Sequence, residues 1–216
     1  MSGSKRTPAT DAAAYVSRGG VKLAGALDDL GIDVAGVRAL DAGASSGGFT
    51  DCLLQRGAAI VVAVDVAYGQ FAWRLRNDAR VRLLERTNVR SLDVGAIGEP
   101  MDLVVADLSF ISLATVADAL TGVTGPNGRF ILLVKPQFEL PKQDVPRGGV
   151  VRDPLAWQQA MRAVADAYRS RGVALVAASP SRLVGPKGNR EFFLHMLRGS
   201  SDAGDVPLEE AIERAP

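Results

Sequence analysis

Asp107 and Lys135 stand where short apolar runs end, and their side chains are of types that can take part in proton transfer. Asp107 ends the run from 101 to 107, and Lys135 follows the run from 129 to 134. Such runs are typical of buried strands, and open α/β sheets bind ligands at the carboxyl ends of their central strands. Arginine outnumbers lysine 20 to 5 in the chain. A lysine at such a position is informative because a buried lysine can lose its proton, whereas an arginine cannot.

Lys22 and Glu191 are further candidates for the same site. Lys22 lies at the start of the first predicted helix, and Glu191 lies where the last apolar strand begins, which we expect at an edge of the sheet. Each candidate also has a purely structural interpretation. Lys22 would be a solvated cation, Asp107 would cap a strand end, and Glu191 would pair with Arg190 on the edge strand.

A glycine-rich turn follows the strand predicted at 38–41. Its spacing, G-x-x-x-G-G from Gly43, departs from the dinucleotide fingerprint because Ser45 replaces the glycine that lets a backbone approach a pyrophosphate. Asp65 ends the next predicted strand, 22 residues after Gly43, where nucleoside-binding sheets place a carboxylate for the ribose hydroxyls. The alternative is a helix start packed on a strand, with Asp65 solvated.

A nucleoside ligand without phosphates that suits such a turn is S-adenosylmethionine. Gly47 and Gly48 would leave room for it at the helix start. The predicted cofactor-binding residues are Gly43, Ala44, Ser45, Ser46, Gly47, Gly48, Phe49, Asp65, Val66 and Asp107, with Asn88 and Val89 flanking the adenine on the basis of the fold alone.

The elements that must position these residues alternate short β-branched runs with amphipathic stretches, which predicts an α/β fold. Strands are expected at 38–41, 59–66, 82–84, 101–107, 129–134, 173–178 and 191–197, and helices at 21–30, 49–56, 113–120 and 154–171. No helical pattern separates the last two strands, so they should pair antiparallel at one edge. The prediction is a Rossmann-like methyltransferase: a mostly parallel seven-stranded sheet with an antiparallel last strand and helices on both faces.

Length and composition indicate one domain. The 216 residues are 47% hydrophobic and 23% charged, with a net charge of +1, which excludes a disordered chain and makes any nucleic-acid surface a local one. No apolar run is long enough to span a bilayer, and the single cysteine (Cys52) and histidine (His195) cannot form a Cys/His zinc site. We therefore expect a cytoplasmic protein without a metal.

The domain is expected at 15–198. Residues 1–14 would be a flexible segment or a cloning remnant, and 199–216 a flexible tail. The stretch 137–152 is expected to be a long irregular loop.

Five segments in order carry a family resemblance: RGGVKL at 18–23, DAGASSGGFT at 41–50, ADLSFISL at 106–113, LVKPQFE at 133–139 and GNREFF at 188–193. They resemble the successive motifs of the TlyA family of hemolysins or rRNA methyltransferases, which belongs to the FtsJ-like 2′-O-methyltransferases. The resemblance extends over residues 15–197.

The resemblance implies a catalytic tetrad at Lys22, Asp107, Lys135 and Glu191. A ribose 2′-hydroxyl is a poor nucleophile and needs a general base, for which Lys135 is the candidate. Lys22 would lower the pKa of Lys135, Asp107 would orient it, and Glu191 would position Lys22 or the ribose.

The implied function is 2′-O-methylation of cytidine in ribosomal RNA with S-adenosylmethionine as cofactor. TlyA-like proteins usually begin with an S4-like RNA-binding module, whereas only 14 residues precede Tyr15 here, so ribosome binding is expected to need an additional module. The alternatives are a methyltransferase of the same fold acting on a small molecule, and a non-enzymatic hemolysin or RNA-binding protein. The last is disfavoured because no long amphipathic segment is evident.

The predicted RNA-facing surface is an arginine-rich run that includes Trp73, because arginine grips phosphates and aromatic rings stack on bases. The run comprises Arg74, Arg76, Arg80, Arg82, Arg86 and Arg90. A solvated helix and turn is the alternative interpretation. Arg147, Arg152 and Lys187 are expected nearer the mouth of the active site.

Overall fold

The computed structural model describes residues 14–200 and 206–216 and contains a seven-stranded sheet in the order β3-β2-β1-β4-β5-β7-β6. The strands are β1 (Arg38–Ala42), β2 (Ile60–Val64), β3 (Val81–Leu84), β4 (Met101–Ala106), β5 (Thr124–Val134), β6 (Val173–Pro180) and β7 (Phe192–Arg198). Neighbouring strands from β3 to β5 pair parallel, whereas β7 pairs antiparallel with both β5 and β6. The fold class and the antiparallel last strand are therefore confirmed.

Helices cover both faces of the sheet. They are α1 (Arg18–Asp29), α2 (Gly48–Gln55), α3 (Trp73–Arg76), α4 (Val94–Ile97), α5 (Ala117–Gly122), α6 (Pro136–Glu139), α7 (Pro154–Arg169) and α8 (Leu208–Glu213). Short 3-10 turns lie at Val89–Ser91, Leu113–Val116, Lys142–Asp144 and Pro186–Gly188. Alternate residues of the inner strands enter two separate cores, one with α1 and α2 and the other with α5, α7 and α8. This burial on both faces explains the continuous apolar runs.

The last two strands differ from the expectation in one respect. Glu191 was expected to open an edge strand, but β7 lies between β5 and β6, and β6 forms the edge. The start of β7 is consequently buried: Phe192 and Phe193 are fully covered, and Glu191 is 2% exposed. A buried charged residue needs a partner, and for Glu191 this partner is Lys22.

Three further expectations need correction. In place of a flexible tail over 199–216, the described residues from 206 onward include α8, which buries Leu208 and Ala211. The stretch 137–152 is not wholly irregular because α6 and the Lys142–Asp144 turn lie in it. The helix expected at 113–120 is a 3-10 turn that continues into α5. The segment 1–14 falls almost wholly outside the described residues.

The parallel strands point their carboxyl ends to the same edge of the sheet. Gly43 follows β1, Asp65 follows β2, Asp107 follows β4, and Lys135 follows β5. No helix in the described ranges is long and apolar enough to cross a membrane.

Candidate active site

Lys135 lies in a polar cluster formed by the segments after β4 and β5. Its Nζ is 2.6 Å from Asp107 Oδ1 and donates a hydrogen bond of 2.9 Å to Ser109 Oγ. The Lys135 side chain is 10% exposed and that of Asp107 is 23% exposed. Asp107 and Ser109 both line the largest cavity described below, so this ion pair borders open space.

Lys22 and Glu191 form a second ion pair. Lys22 Nζ donates to Glu191 Oε2 at 2.5 Å, and the side chains are 9% and 0% exposed. The pair joins α1 to the start of β7 across 169 positions of sequence. Lys22 is therefore not a solvated cation, and the partner of Glu191 is Lys22 rather than Arg190.

This pairing affects the role predicted for Lys22. Glu191 balances the positive charge of Lys22, so Lys22 is less able to favour the neutral form of Lys135 by repulsion. The contact agrees with the predicted role of Glu191 in positioning Lys22. Each of the two lysines is thus paired with a different carboxylate, Lys22 with Glu191 and Lys135 with Asp107.

A cavity of about 590 Å³ opens at the carboxyl ends of β1, β2 and β4. It is lined by Gly43, Ser45, Asp65, Val66, Gln70, Asn88, Val89, Arg90, Asp107, Leu108, Ser109, Phe110 and Ile111. A second cavity of about 330 Å³ is lined by Ser17, Arg18, Gly19, Gly43, Ala44, Ser45, Ser46, Gly48, Phe49 and Asp107. The two cavities share Asp107 and the turn at 43–45, so Asp107 lies between them.

Asp65 is fixed in orientation by the backbone. Its Oδ2 accepts from Ser45 N–H and its Oδ1 from Ala67 N–H, both at 2.7 Å. Each carboxylate oxygen can accept more than one hydrogen bond, so Asp65 still has capacity for hydroxyl donors from the cavity. Together with Asn88 and Val89, it lines a cavity of a size typical for small-molecule sites.

The glycines of the turn serve packing more than ligand space. A Cβ at Gly43 would lie 2.6 Å from the Asp107 carbonyl oxygen, and one at Gly47 would lie 2.5 Å from Leu75. At Gly48 a Cβ would collide with Ser17. Gly47 lines neither of the two cavities, so its lack of a side chain serves packing, whereas Gly48 lines the smaller cavity together with Ser17.

Asp41 lies beneath this turn and is completely buried. Its Oδ2 accepts from the Thr50 N–H and hydroxyl, at 2.9 and 2.6 Å, while Oδ1 has no hydrogen-bond partner. Burial raises the pKa of Asp41 to about 7, against the opposing hydrogen bonds from Thr50. Nearby Asp107 and Asp65 raise the pKa further. The carboxyl group of Asp41 therefore titrates near neutral pH.

Ser109, Phe110 and Glu139 were not among the predicted site residues. Glu139 accepts from Ser112 Oγ at 2.5 Å and from Leu113 N–H at 2.9 Å, so it ties the segment after β5 to the segment after β4. Burial raises the pKa of Glu139. The motifs ADLSFISL and LVKPQFE contain all these residues. Their polar residues follow the carboxyl ends of predicted strands, and this position alone could have identified them as candidate site residues.

Phe110 has an uncommon conformation. Its φ is 65°, its side chain is 90% exposed, and its ring lies 5.1 Å from the ring of Phe138. Positive φ is costly for a bulky residue and occurs often at functional sites. Phe110 thus presents an aromatic ring to solvent at the wall of the larger cavity.

The arginine-rich run does not form one surface. Arg76 pairs with Glu85, Arg80 pairs with Asp78, and Arg82 donates to the Ala96 carbonyl. Two of these residues, Arg80 and Arg82, line a different cavity with Arg38. The predicted RNA-facing surface is therefore limited to fewer residues of this run.

Arg86 and Arg90, which follow β3, are the two residues of the run that remain candidates for contact with RNA. The Arg86 guanidinium lies 4.3 Å from the ring centroid of Tyr68, and Arg90 lines the larger cavity. Tyr68 is 65% exposed, and Trp73 is 77% exposed. Arg90 thus borders the cavity, and Arg86 forms a cation–π contact with the exposed Tyr68 in the segment that follows β2.

The strand order, the antiparallel β7 and the cavity beside the glycine turn define the chain as a Rossmann-like methyltransferase fold. Solved structures of S-adenosylmethionine-dependent and other methyltransferases, 14 to 21% identical to the chain, superpose with TM-scores of 0.55 to 0.61 and share this fold. The chain belongs to the FtsJ-like methyltransferase family, whose model matches residues 15–198.

Particular relatives narrow the comparison. The 16S/23S rRNA (cytidine-2′-O)-methyltransferase TlyA of Mycobacterium tuberculosis is 54% identical over 94% of this chain and 76% of its own length. YqxC of Bacillus subtilis, named as a candidate rRNA methyltransferase, is 40% identical over 93% of this chain and 72% of its own length. The structure of a candidate hemolysin from Lactococcus lactis is 35% identical, covers 93% of this chain and 98% of its own, and superposes with a TM-score of 0.88.

Proposed function

We propose that this chain transfers a methyl group from S-adenosylmethionine to the ribose 2′-hydroxyl of cytidine in ribosomal RNA, with residues 15–198 as the methyltransferase domain. The observation that carries the proposal is the Lys135–Asp107 ion pair, whose carboxylate lines the cavities beside the glycine turn. The names of TlyA and YqxC support the RNA substrate. Action on ribosomes would place the protein in the cytoplasm.

The cofactor would occupy the space at the carboxyl ends of β1 and β2. Asp65 would accept hydrogen bonds from its ribose hydroxyls, while Asn88 and Val89 would flank the adenine. The methionine end would lie along the turn between Gly43 and Phe49, and Val66 and Asp107 would complete the contacts. S-adenosylmethionine supplies an electrophilic methyl group, whose bond to sulfur breaks with both electrons remaining on sulfur.

Lys135 is proposed as the general base. In its neutral form it accepts the proton of the 2′-hydroxyl as the ribose oxygen forms its new bond to the methyl carbon. Asp107 holds the Lys135 Nζ, and the Lys22–Glu191 pair fixes α1 against β7 beside the site. Alignment of the oxygen with the methyl group supplies the rest of the rate.

Exposed aromatic residues beside the cavity support an RNA substrate. Phe110 and Tyr68 present rings to solvent, and unpaired bases stack on such rings. Arg86 and Arg90 would contact phosphates at the same edge. This local set is consistent with a chain of net charge +1, since the positive charge need only be local.

The test is methyl transfer from radiolabelled S-adenosylmethionine to ribosomal subunits by this chain fused to an S4-like RNA-binding module and by the chain alone, with free cytidine as a parallel substrate. After digestion, mass spectrometry should find 2′-O-methylcytidine in the ribosomal RNA. Label on free cytidine but not on ribosomal RNA would favour the small-molecule alternative, and label on a base would contradict ribose methylation. Lysis of red cells without methyl transfer would instead favour the hemolysin alternative.

A further inference from the structure

Ser109 forms a hydrogen bond with Lys135, and the proposed mechanism gives this contact no role. Its hydroxyl oxygen accepts from Lys135 Nζ at 2.9 Å, while Asp107 Oδ1 approaches the same nitrogen at 2.6 Å. Ser109 itself is exposed and lines the larger cavity. The reacting nitrogen is thus contacted by two oxygens from one short segment after β4.

We propose that Ser109 is a positioning residue that fixes the direction from which Lys135 accepts a proton. The proposal rests on the proposed role of Lys135 as the base. An ammonium nitrogen carries three N–H groups in tetrahedral directions. Ser109 Oγ accepts one of them in a hydrogen bond, and the Asp107 carboxylate lies in ion-pair contact on a second side, so the remaining direction is the one left open for the proton that leaves. The lone pair of the neutral amine then points in this third direction, where the ribose hydroxyl must approach.

Both neighbouring oxygens are needed for this orientation. With Asp107 alone, the amine could rotate about its Cε–Nζ bond and place the lone pair in either of two remaining directions. Ser109 removes this choice because its oxygen accepts one N–H group. Proton transfer depends steeply on such alignment, so a lost contact should reduce the rate of the chemical step.

The position of Ser109 is held by a link between two segments. Glu139 lies four positions after Lys135, and its carboxyl group accepts from Ser112 and Leu113, just beyond Ser109. The segment that carries Lys135 and the segment that carries Ser109 are therefore fastened together. This link keeps the distance from Nζ to the Ser109 oxygen short.

The experiment measures single-turnover methyl transfer to ribosomal subunits at saturating S-adenosylmethionine for Ser109→Ala, Ser109→Thr and Thr115→Ala. Ser109→Ala should be about 10- to 100-fold slower, the range for losing a hydrogen bond to a charged group. Calorimetry should show unchanged cofactor affinity, which also reports that the variant is folded. Ser109→Thr keeps a hydroxyl and should retain most of the rate. Thr115 is exposed on the following turn, so Thr115→Ala serves as the control.

The pH dependence separates positioning of the base from a general structural effect. The Ser109 oxygen stabilises the ammonium more than the neutral amine, so its removal should move the midpoint of the rate's rise to lower pH. A rate for Ser109→Ala equal to that of the wild type would overturn the proposal. Equal losses in Ser109→Ala and Ser109→Thr, or a matching loss of cofactor affinity, would also overturn it.

Lys135→Ala in the same assay distinguishes this proposal from the proposed function. If Lys135→Ala is inactive while Ser109→Ala is unaffected, the base assignment stands and the Ser109 proposal fails. If Lys135→Ala is also as fast as the wild type, the base assignment fails, and the role of Ser109 fails with it.

Discussion

The Lys22–Glu191 pair and the Lys135–Asp107 pair combine the same groups but differ in their surroundings. The side chain of Glu191 is completely covered. Asp107 is 23% exposed and lines both cavities. The two lysines are almost equally covered, at 9% and 10% exposed, so the difference lies in the carboxylates: that of Glu191 is enclosed, whereas that of Asp107 borders the space where a ligand can enter. We call the first pair closed and the second open.

This difference suggests a division of roles. A buried charge without its partner is costly, so a closed pair ties together the elements that carry it. A pair at a cavity wall can exchange a proton with a bound molecule because that molecule can reach it. Under the proposed function, Lys22 and Glu191 would serve structural positioning and Lys135 would serve proton transfer.

The largest expected effect comes from changing the open pair. Lys135→Arg keeps the positive charge, but guanidinium does not give up its proton, so methyl transfer in a single turnover should fall by about 1,000-fold or more. Cofactor affinity should be unchanged because the proposed cofactor contacts lie after β1 and β2. Lys142→Arg, at an exposed lysine, is the control. A rate within a few-fold of the wild type would mean that position 135 supplies only charge.

Changing the closed pair should mainly reduce stability. Glu191→Ala leaves the Lys22 ammonium buried without its partner and should lower the free energy of unfolding by about 3 to 5 kcal/mol. Chemical denaturation measures this, with Glu213→Ala at an exposed position as the control. The double variant Lys22→Met/Glu191→Leu should recover much of the loss. No loss in Glu191→Ala would contradict the assignment.

Asp65 belongs to neither pair and should affect binding alone. Asp65→Ala should weaken S-adenosylmethionine binding by about 10-fold or more, the scale of a lost hydrogen bond to a charged group. Asp65→Asn keeps one oxygen acceptor and should lose less. Calorimetry measures both, with Asp144→Ala as the exposed control. An unchanged affinity would place the cofactor elsewhere.

Asp41, beneath the glycine turn, should affect the pH dependence of stability and not the reaction. Its pKa of about 7 lies above the usual value of 3.8, so the folded protein binds its proton more tightly than the unfolded chain does. Its contribution to stability should therefore be largest at low pH and decline as pH rises from about 4 to about 7. Asp41→Asn should remove this part of the dependence. Denaturation at several pH values tests it, and an unchanged pH slope would contradict the raised pKa.

The strands could be predicted because burial on both faces produces long apolar runs. The four-residue helices α3 and α4 are too short to show periodicity, and the start of β5 contains Gly125 and Pro126, which usually indicate a turn. α8 depends on burying Leu208 and Ala211 against other elements. Local sequence carries little information about such tertiary contacts.

The site residues were recognisable by type, but their partners were not. Lys22 and Glu191 are 169 positions apart, so only the folded sheet brings them together. The expected Arg190 partner followed from treating β7 as an edge strand. Ser109 was overlooked because a serine has no distinctive chemistry until a lysine is found beside it.

The most direct test of the division between the two pairs is the pH dependence of wild-type methyl transfer, measured in a single turnover with saturating S-adenosylmethionine. If Lys135 must be neutral to accept the hydroxyl proton, the rate should rise with pH and level off once this lysine is deprotonated. Glu191→Gln should keep the same profile shape because the closed pair does not exchange the proton. A wild-type rate that does not change with pH would contradict the assignment of Lys135 as the base.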